Sequence, residues 1–140
     1  MKMTEIFKPK SGKEIWDGLN HLCTNLMLIE SARGGFMPGV EKALKQGADI
    51  NYYNDSDGCS ALAAASEAGN FQIVNYLLSK NAIVCNIALI GAFERIDLFT
   101  KLLQRADLEE CCGLRLALEF AEGQHRTEIV ALIRERIKRG

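Results

Sequence analysis

Apolar residues between Ser60 and Ala82 follow two short helical patterns separated by a glycine. The first segment is rich in alanine, and Gly69 is suited to end it because glycine readily adopts the left-handed conformation that closes helices. Asn70 is suited to cap the second helix, whose apolar stripe is Phe71, Val74, Leu77 and Leu78. Each helix is shorter than the roughly 12 residues at which an isolated helix is marginally stable. The pair therefore requires similar units on both sides.

The apolar spacing of this unit recurs along the chain. An earlier unit is related to it by an offset of 34 at three pairs of positions: Val40 and Val74, Leu44 and Leu78, and Ala48 and Ala82. A third copy follows at an offset of 25, at Leu98, Phe99, Leu102 and Leu103, and a fourth follows at a further offset of 31, at Ile129, Val130 and Ile133. Shorter segments of smaller residues precede the last two copies, at 87–92 and 116–121. Such recurrence is typical of helical repeat proteins.

The first part of the chain predicts a loose lead-in and two helices. Residues 1–12 form the lead-in, and a helical pattern then runs from 13 to about 23, with apolar positions Ile15, Trp16, Leu19 and Leu22. Thr24 or Asn25 can cap a separate helix over 26–33, whose apolar residues lie nearly all round and predict burial on more than one side.

The connections on either side of the central unit differ. A helix is predicted from Pro38 to Gln46, closed by Gly47. Residues 48–58 are rich in Asn, Asp, Ser and Gly and predict a projecting, hairpin-like loop. The next such loop, around Cys85, is nearly deleted because the repeat offset falls to 25.

The amino-acid composition and net charge do not indicate a particular class of partner. The chain has 140 residues, 48% of them apolar and 25% charged, with a net charge of −1, so neither nucleic acid nor an acidic membrane is indicated. Five cysteines, an odd number, with no signal peptide at the start, predict reduced thiols and a cytoplasmic location. If the source is a bacterial pathogen, delivery into a host cell fits the same pattern. No apolar run approaches the roughly 18 residues of a membrane span.

Candidate chemistry is sparse. His21-Leu22-Cys23 is too tight for common metal-ligand spacing, and no Cys-x-x-Cys occurs, so no metal or cofactor is expected. The acidic pairs Asp55/Asp57 and Glu109/Glu110 fall in predicted loops, where solvated carboxylates are expected. One catalytic alternative stays open: a cysteine-dependent enzyme that uses the loop thiols Cys111-Cys112 near His125.

The repeat residues resemble the ankyrin repeat. Gly47-Ala48-Asp49-Ile50-Asn51 is similar to the family's Gly-Ala-Asp-Val/Ile-Asn signature. Residues 58–65, Gly-Cys-Ser-Ala-Leu-Ala-Ala-Ala, correspond to Gly-x-Thr-Pro-Leu-His-x-Ala, and 69–78 correspond to Gly-His-x-x-Ile-Val-x-x-Leu-Leu. The resemblance covers about 26–138. The family's Thr-Pro-Leu-His is Ser60-Ala61-Leu62-Ala63 here, which removes its histidine.

The resemblance implies an all-α solenoid of about four helix-turn-helix repeats, with an N-terminal capping helix and one long loop finger. The expected division is 1–12 lead-in and 13–140 as one ankyrin-repeat domain. Within that domain the expected units are an N-terminal helix at 13–24, repeats at 25–58, 59–85 and 86–113, and a C-terminal capping repeat at 114–140. The charged residues of the last helix suit a cap with one solvated face.

In ankyrin proteins the loops and inner helices line a concave face that binds partner proteins. The resemblance therefore implies protein-binding positions in the loop and on the inner helices: Tyr52, Tyr53, Asp55, Ser56, Asp57, Arg33, Glu67 and Phe93. Tyr and Arg are enriched at binding hot spots, and one of two adjacent tyrosines in an extended segment should be exposed. The alternatives are that one tyrosine covers the neighbouring repeat, and that the shortened loop leaves Phe93 buried.

The expected function is non-catalytic binding that masks or inhibits another protein, by a monomer without cofactors. Besides the cysteine enzyme, a structural homo-oligomer built through the apolar N-terminal helix is the other alternative.

Overall fold

A computed structural model describes residues 12–106 and 112–139 of the chain, and the side chains of 19–106 and 114–139. This part forms helices joined by loops, with a single isolated antiparallel bridge between Tyr53 and Ser60. The helices are α1 (Gly12–Gly34), α2 (Met37–Lys45), α3 (Ala61–Ala68), α4 (Phe71–Ser79), α5 (Asn86–Gly91), α6 (Ile96–Arg105), α7 (Cys112–Gly123) and α8 (Thr127–Arg139). Residues 1–11 of the predicted lead-in and the side chains of Ile15 and Trp16 lie outside the described part.

The helices form two layers. The odd-numbered helices contact one another in chain order, α1 with α3, α3 with α5 and α5 with α7, while each even-numbered helix follows an odd-numbered one as its hairpin partner. Small side chains allow the close approach in the odd-numbered layer: every residue from Ala61 to Ser66 is buried, as are Ala32, Ala88, Ala117 and Ala121. None of the helices in the described ranges is both long and apolar enough to cross a bilayer.

The recurrent apolar positions form the core between the layers. Val40 and Val74, which the first offset relates, are fully buried, and so are Phe99, Leu102, Ile129 and Ile133 of the last two units. Thirty buried apolar residues make one continuous cluster in the described part. The packing of each unit on the next explains how helices as short as α5 and α6 are stable here.

The predicted break near residue 24 is wrong, because α1 continues through it. Thr24 does not cap a new helix; its hydroxyl donates to the Asn20 carbonyl oxygen one turn earlier, at 2.6 Å. The Asn25 side chain instead accepts a hydrogen bond from the Asp49 amide at 2.8 Å, so it links the helix to the following loop. The segment at 26–33 is buried mainly at Leu28, Ile29 and Ala32.

In the central helix pair the predicted glycine turn is confirmed, but the predicted side-chain cap is wrong. Gly69 ends α3 in the left-handed conformation at φ +76°, as expected. Asn70 precedes α4 without a side-chain cap bond. Phe71, predicted on the buried stripe, is 42% exposed, and Ile73 occupies the core instead. The buried face of α4 therefore begins at Ile73 rather than at the first residue of the helix.

The loops before and after the central unit differ in length. The segment 46–60 joins α2 to α3, whereas the segment 80–85 joins α4 to α5. The second connection is much shorter, and the difference accounts for the fall in offset from 34 to 25. One unit along the stack therefore lacks the long loop that its neighbour carries.

Candidate protein-binding surface

The long loop at 47–60 is ordered by its own short-range hydrogen bonds. The Asn54 amide donates to the Cys59 carbonyl oxygen at 3.0 Å, and the Gly58 amide donates to the Asn54 carbonyl oxygen at 2.6 Å. Gly58 has a φ of +67°, which favours glycine. Farther along the chain, the Ile83 amide donates to the Asn51 side chain at 2.9 Å and ties the loop to the next unit. The loop is therefore held both by internal bonds and by its neighbour.

The two adjacent tyrosines of the loop differ in environment. Tyr52 is half-buried against the core, and Tyr53 is 60% exposed beside its bridge to Ser60. This agrees with the expectation that one of the pair faces solvent. It also corresponds to the alternative in which the other tyrosine serves packing, so Tyr53 is the member available to a partner.

The tip of the loop is acidic and polar. Ser56 donates to the Asn54 side-chain oxygen through both its amide, at 3.2 Å, and its hydroxyl, at 3.0 Å. Asp57 accepts from the Cys59 amide at 2.9 Å, which shapes the turn. Asp55 and Asp57 are exposed, and within the described residues neither carboxylate forms an ion pair.

A groove of about 380 Å³ lies between this loop and the segment at 83–87. Its walls include Tyr53, Gly58, Ser60, Ile83, Cys85 and Ile87. Ile83 is 51% exposed, so apolar surface is open to solvent here. A Cβ added at Gly58 would lie 2.7 Å from the Ile87 side chain, which shows how closely the loop approaches α5. The groove lies where the shortened connection leaves the long loop without a neighbour of its own length.

Two predicted contact residues lie on the odd-numbered helices. Arg33 forms an exposed ion pair with Glu30, and its guanidinium also donates to the Cys59 sulfur at 3.8 Å. Glu67 is exposed near the end of α3, and its carbonyl oxygen accepts from Arg95 at 3.3 Å. Both side chains reach solvent on the layer that the small residues build.

Phe93 does not belong to this surface. The side chain is 4% exposed and follows α5 rather than lying on it. Its ring packs edge-on against Phe99, with centroids 5.5 Å apart, and against Phe120 at 5.9 Å. The alternative of a buried Phe93 is therefore correct, because the connection between α5 and α6 folds the ring inward between adjacent units.

The environment of Cys59 does not favour a nucleophilic thiol. Burial raises the pKa of the Cys59 thiol, and the neighbouring Arg33 guanidinium opposes that shift only in part. A raised pKa lowers the thiolate fraction, whereas an activated cysteine needs the reverse. His125 is exposed in the turn before α8. Cys111, the side chain of Cys112 and the pair Glu109/Glu110 lie outside the described residues.

Sequence reasoning missed a set of links between successive units. Residues at the start of the even-numbered helices reach back to carbonyl oxygens of the preceding unit: Asn70 to Ala32 at 2.8 Å, Arg95 to Glu67 at 3.3 Å, and Arg126 to Phe93 at 3.4 Å. Arg126 also pairs with Glu94. The spacings between these donors equal the second and third offsets of the apolar repeat, so the same periodicity could have identified them.

A second set of links lies at the other end of the even-numbered helices. Arg105 donates to the Leu78 carbonyl oxygen at 2.8 Å, and Arg136, at the equivalent place in the next unit, donates to the carbonyls of Leu103 at 3.3 Å and Ala106 at 3.0 Å. The cations thus meet carbonyl oxygens at or just beyond the C-terminal end of the preceding even-numbered helix, where the helix dipole favours positive charge. Arg136 bonds across units and is not merely a charge at its own helix end.

The stacked helix hairpins define the class: an all-helical repeat protein in its described part. The ankyrin repeat family model matches residues 57–88, which contain the central unit, its preceding loop tip and the start of α5. The match identifies this unit as an ankyrin repeat and confirms the resemblance found in the sequence. No curated protein matches the chain. Ankyrin repeats generally mediate protein–protein interaction and are typically non-catalytic.

Proposed function

We propose that this protein is a non-catalytic binding module that uses its 47–60 loop and exposed side chains of the odd-numbered helices to occupy, and so mask or inhibit, a partner protein. The observation that carries the proposal is Tyr53, 60% exposed on an ordered loop at the edge of an apolar groove. Tyrosine contributes large contact area at low entropic cost, which is why it is frequent at binding hot spots. Arg33, Glu67, Asp55, Ser56 and Asp57 supply the polar surroundings.

The proposed partner is another protein. This chain is proposed to bind it as a monomer in the cytoplasm, without a metal or cofactor. The charge pattern supports a protein over a nucleic acid, because residues 47–88 carry four acidic side chains and one lysine, a net charge of −3. Nucleic acid requires a basic surface to neutralise phosphates. The division at 12/13, 58/59, 85/86 and 113/114 remains part of the proposal, whereas the one at 24/25 does not, because α1 continues through it.

The test is affinity capture from the native host with the wild-type protein and with Tyr53→Ala, identified by mass spectrometry. Tyr53→Ala should lose the partner and stay folded, because the side chain is mainly exposed. Ile137→Ala is the matched control: Ile137 is an exposed apolar residue, at 45%, near the end of α8 in the last described unit. Equal capture by folded Tyr53→Ala and wild type would show that the loop is not the binding site.

Self-assembly through α1 is the second candidate function. Leu19, Leu22 and Leu26 lie at i, i+3 and i+7 and are 50%, 43% and 37% exposed, so they form an apolar stripe on one helix face. Such a stripe is suited to pack against a second helix. Light scattering that shows a monomer at high protein concentration removes this candidate.

A further inference from the structure

We infer that the groove between the 47–60 loop and residues 83–87 takes an extended segment of the partner protein that presents a large apolar side chain beside a lysine or arginine. This inference rests on the proposed function and specifies the chemistry of the partner. It is carried by the shape of the groove, the apolar residues in its walls and the charge at its rim.

The groove exists because two successive connections differ in length. The long loop projects one wall with Tyr53 and Gly58, and the short connection at 80–85 leaves the opposite wall low. The resulting cleft has a volume of about 380 Å³, which accommodates a few side chains rather than a helix.

The residues in the walls favour a large apolar side chain of the partner, called the anchor here. Tyr53 and Ile83 are 60% and 51% exposed and line the cleft together with the half-buried Ile87. Covering these side chains would remove apolar surface from water, at roughly 25 cal/mol per Å². Of the polar lining residues, Ser60 is already engaged as the N-cap of α3, with its hydroxyl 3.2 Å from the Ala63 amide. The side-chain oxygen of Asn51 is engaged by the Ile83 amide, so Asn86 and the nitrogen of Asn51 are the polar groups left beside the apolar wall.

The exposed loop residues next in sequence to the cleft lining, called its rim here, indicate the charge of the partner segment. Asp57 directly precedes Gly58 of the cleft wall, and Asp55 lies close to Tyr53 in the chain. Both carboxylates are exposed, and the ion pairs of the described residues do not involve them. The 47–60 loop contains three aspartates and no basic residue. A lysine or arginine next to the anchor complements this rim, whereas an acidic segment meets like charge.

The experiment is selection from a random dodecapeptide phage library on the immobilised full chain, followed by synthesis of the enriched consensus and measurement of its Kd. The expected consensus has an aromatic or branched apolar residue within two positions of Lys or Arg. Ile83→Ala should weaken its binding about tenfold, and Asp55→Asn/Asp57→Asn about five- to tenfold with a smaller salt dependence. Asparagine at 57 keeps the oxygen that accepts from Cys59, so the turn is preserved.

Matched controls distinguish the groove from general surface effects. Ile137→Ala changes an isoleucine of similar exposure, 45%, near the end of α8, and Glu119→Gln removes an exposed carboxylate on α7. Both should bind the consensus as wild type does. The inference is overturned if no peptide is enriched, if the consensus lacks the apolar or basic residue, or if folded Ile83→Ala binds equally.

A second copy of the chain is the other occupant that the test resolves. If light scattering shows a dimer that Ile83→Ala dissociates, the groove belongs to self-assembly and the inference is wrong. Loss of the host partner by Tyr53→Ala together with a failed peptide selection would refute the inference alone. The proposed function would then still stand.

Discussion

The side-chain nitrogen of Asn70 lies 2.8 Å from the carbonyl oxygen of Ala32, a residue of the preceding unit. The same nitrogen is 3.3 Å from the Arg33 carbonyl oxygen. Asn70 stands at the N-cap position of α4 but makes no side-chain cap bond. It donates instead to carbonyl oxygens at the end of α1, and so joins two units of the stack.

Asn70→Asp should therefore destabilise the protein by about 1–2 kcal/mol in urea unfolding. Aspartate is as good an N-cap as asparagine, so the helix start is unaffected. An ionised aspartate cannot donate to the Ala32 carbonyl oxygen, and the loss of that hydrogen bond costs about 1–2 kcal/mol. The carboxylate also places a negative charge beside the carbonyl oxygen. Asn75→Asp, an exposed position on the same helix, is the control. An unchanged free energy of unfolding for Asn70→Asp would mean that the link adds nothing to stability.

Alanine substitutions at Gly47 and Gly69 distinguish the cost of backbone strain from the cost of a steric clash. Gly47 and Gly69 both have positive φ, +94° and +76°, but an added Cβ meets nothing within 4 Å at Gly47 and lies 2.4 Å from Arg95 Nε at Gly69. Gly47→Ala should cost about 1 kcal/mol from backbone conformation alone. Gly69→Ala should cost up to about 1 kcal/mol more, because the flexible Arg95 side chain must also move away from its hydrogen bond with the Glu67 carbonyl oxygen. Equal costs in chemical denaturation would contradict the role of Arg95 at this turn.

Phe93→Ala tests whether this residue serves the core or the surface. The ring is buried against Phe99 and Phe120, so truncation should cost about 3–5 kcal/mol of unfolding free energy. Phe36→Ala, at 59% exposure, should change the free energy by less than about 0.5 kcal/mol. A change of less than about 1 kcal/mol in the free energy of unfolding for Phe93→Ala would contradict its role in the core and favour its prediction as a binding residue.

Arg136 and Arg139 lie on the same helix but should differ in effect. Arg136 is half-buried and donates to two carbonyl oxygens of the preceding unit, so Arg136→Ala should cost about 1–2 kcal/mol. Arg139 is exposed and its ion pair is with Glu135 one turn away, so Arg139→Ala should cost less than about 0.5 kcal/mol. The comparison is made by thermal and urea unfolding, and similar losses for both variants would argue against the inter-unit link.

The buried thiol of Cys59 gives a pH dependence with a defined sign. Burial raises the pKa of Cys59 in the folded state above its ordinary value of 9.0, so the folded protein holds this proton more tightly than the unfolded chain. Stability should therefore fall as pH rises through and above about 9. Cys59→Ala should flatten this part of the profile, while Cys23→Ala, at an exposed position, should not. A profile unchanged by Cys59→Ala would contradict the assignment.

The same environment predicts the order of thiol labelling. At neutral pH a maleimide should modify Cys23 readily and Cys59 slowly, because Cys23 is exposed and Cys59 is buried with a raised pKa. Labelling of Cys111 or Cys112 faster than a free thiol would instead favour the enzymatic alternative.

The sequence by itself determined the repeat and most of the core. The recurrence of the apolar stripe along the chain identified Val74, Phe99 and Ile133 as buried, because each unit must turn its stripe toward its neighbours. The shortened connection before α5 followed from the same recurrence. Local chemistry also sufficed for Gly69, since its left-handed turn depends on the backbone of a few adjacent residues.

Only the tertiary structure decided which polar and aromatic side chains face one another. Thr24 and Asn25 have cap chemistry, yet packing of α1 against α2 and α3 keeps the helix continuous through them. Asn70 and Arg136 find their acceptors in the preceding unit of the stack, so spacing within one helix does not reveal them. Phe93 is buried, and Tyr53 faces a groove, because of how neighbouring connections stack, and that arrangement arises between units rather than within any one of them.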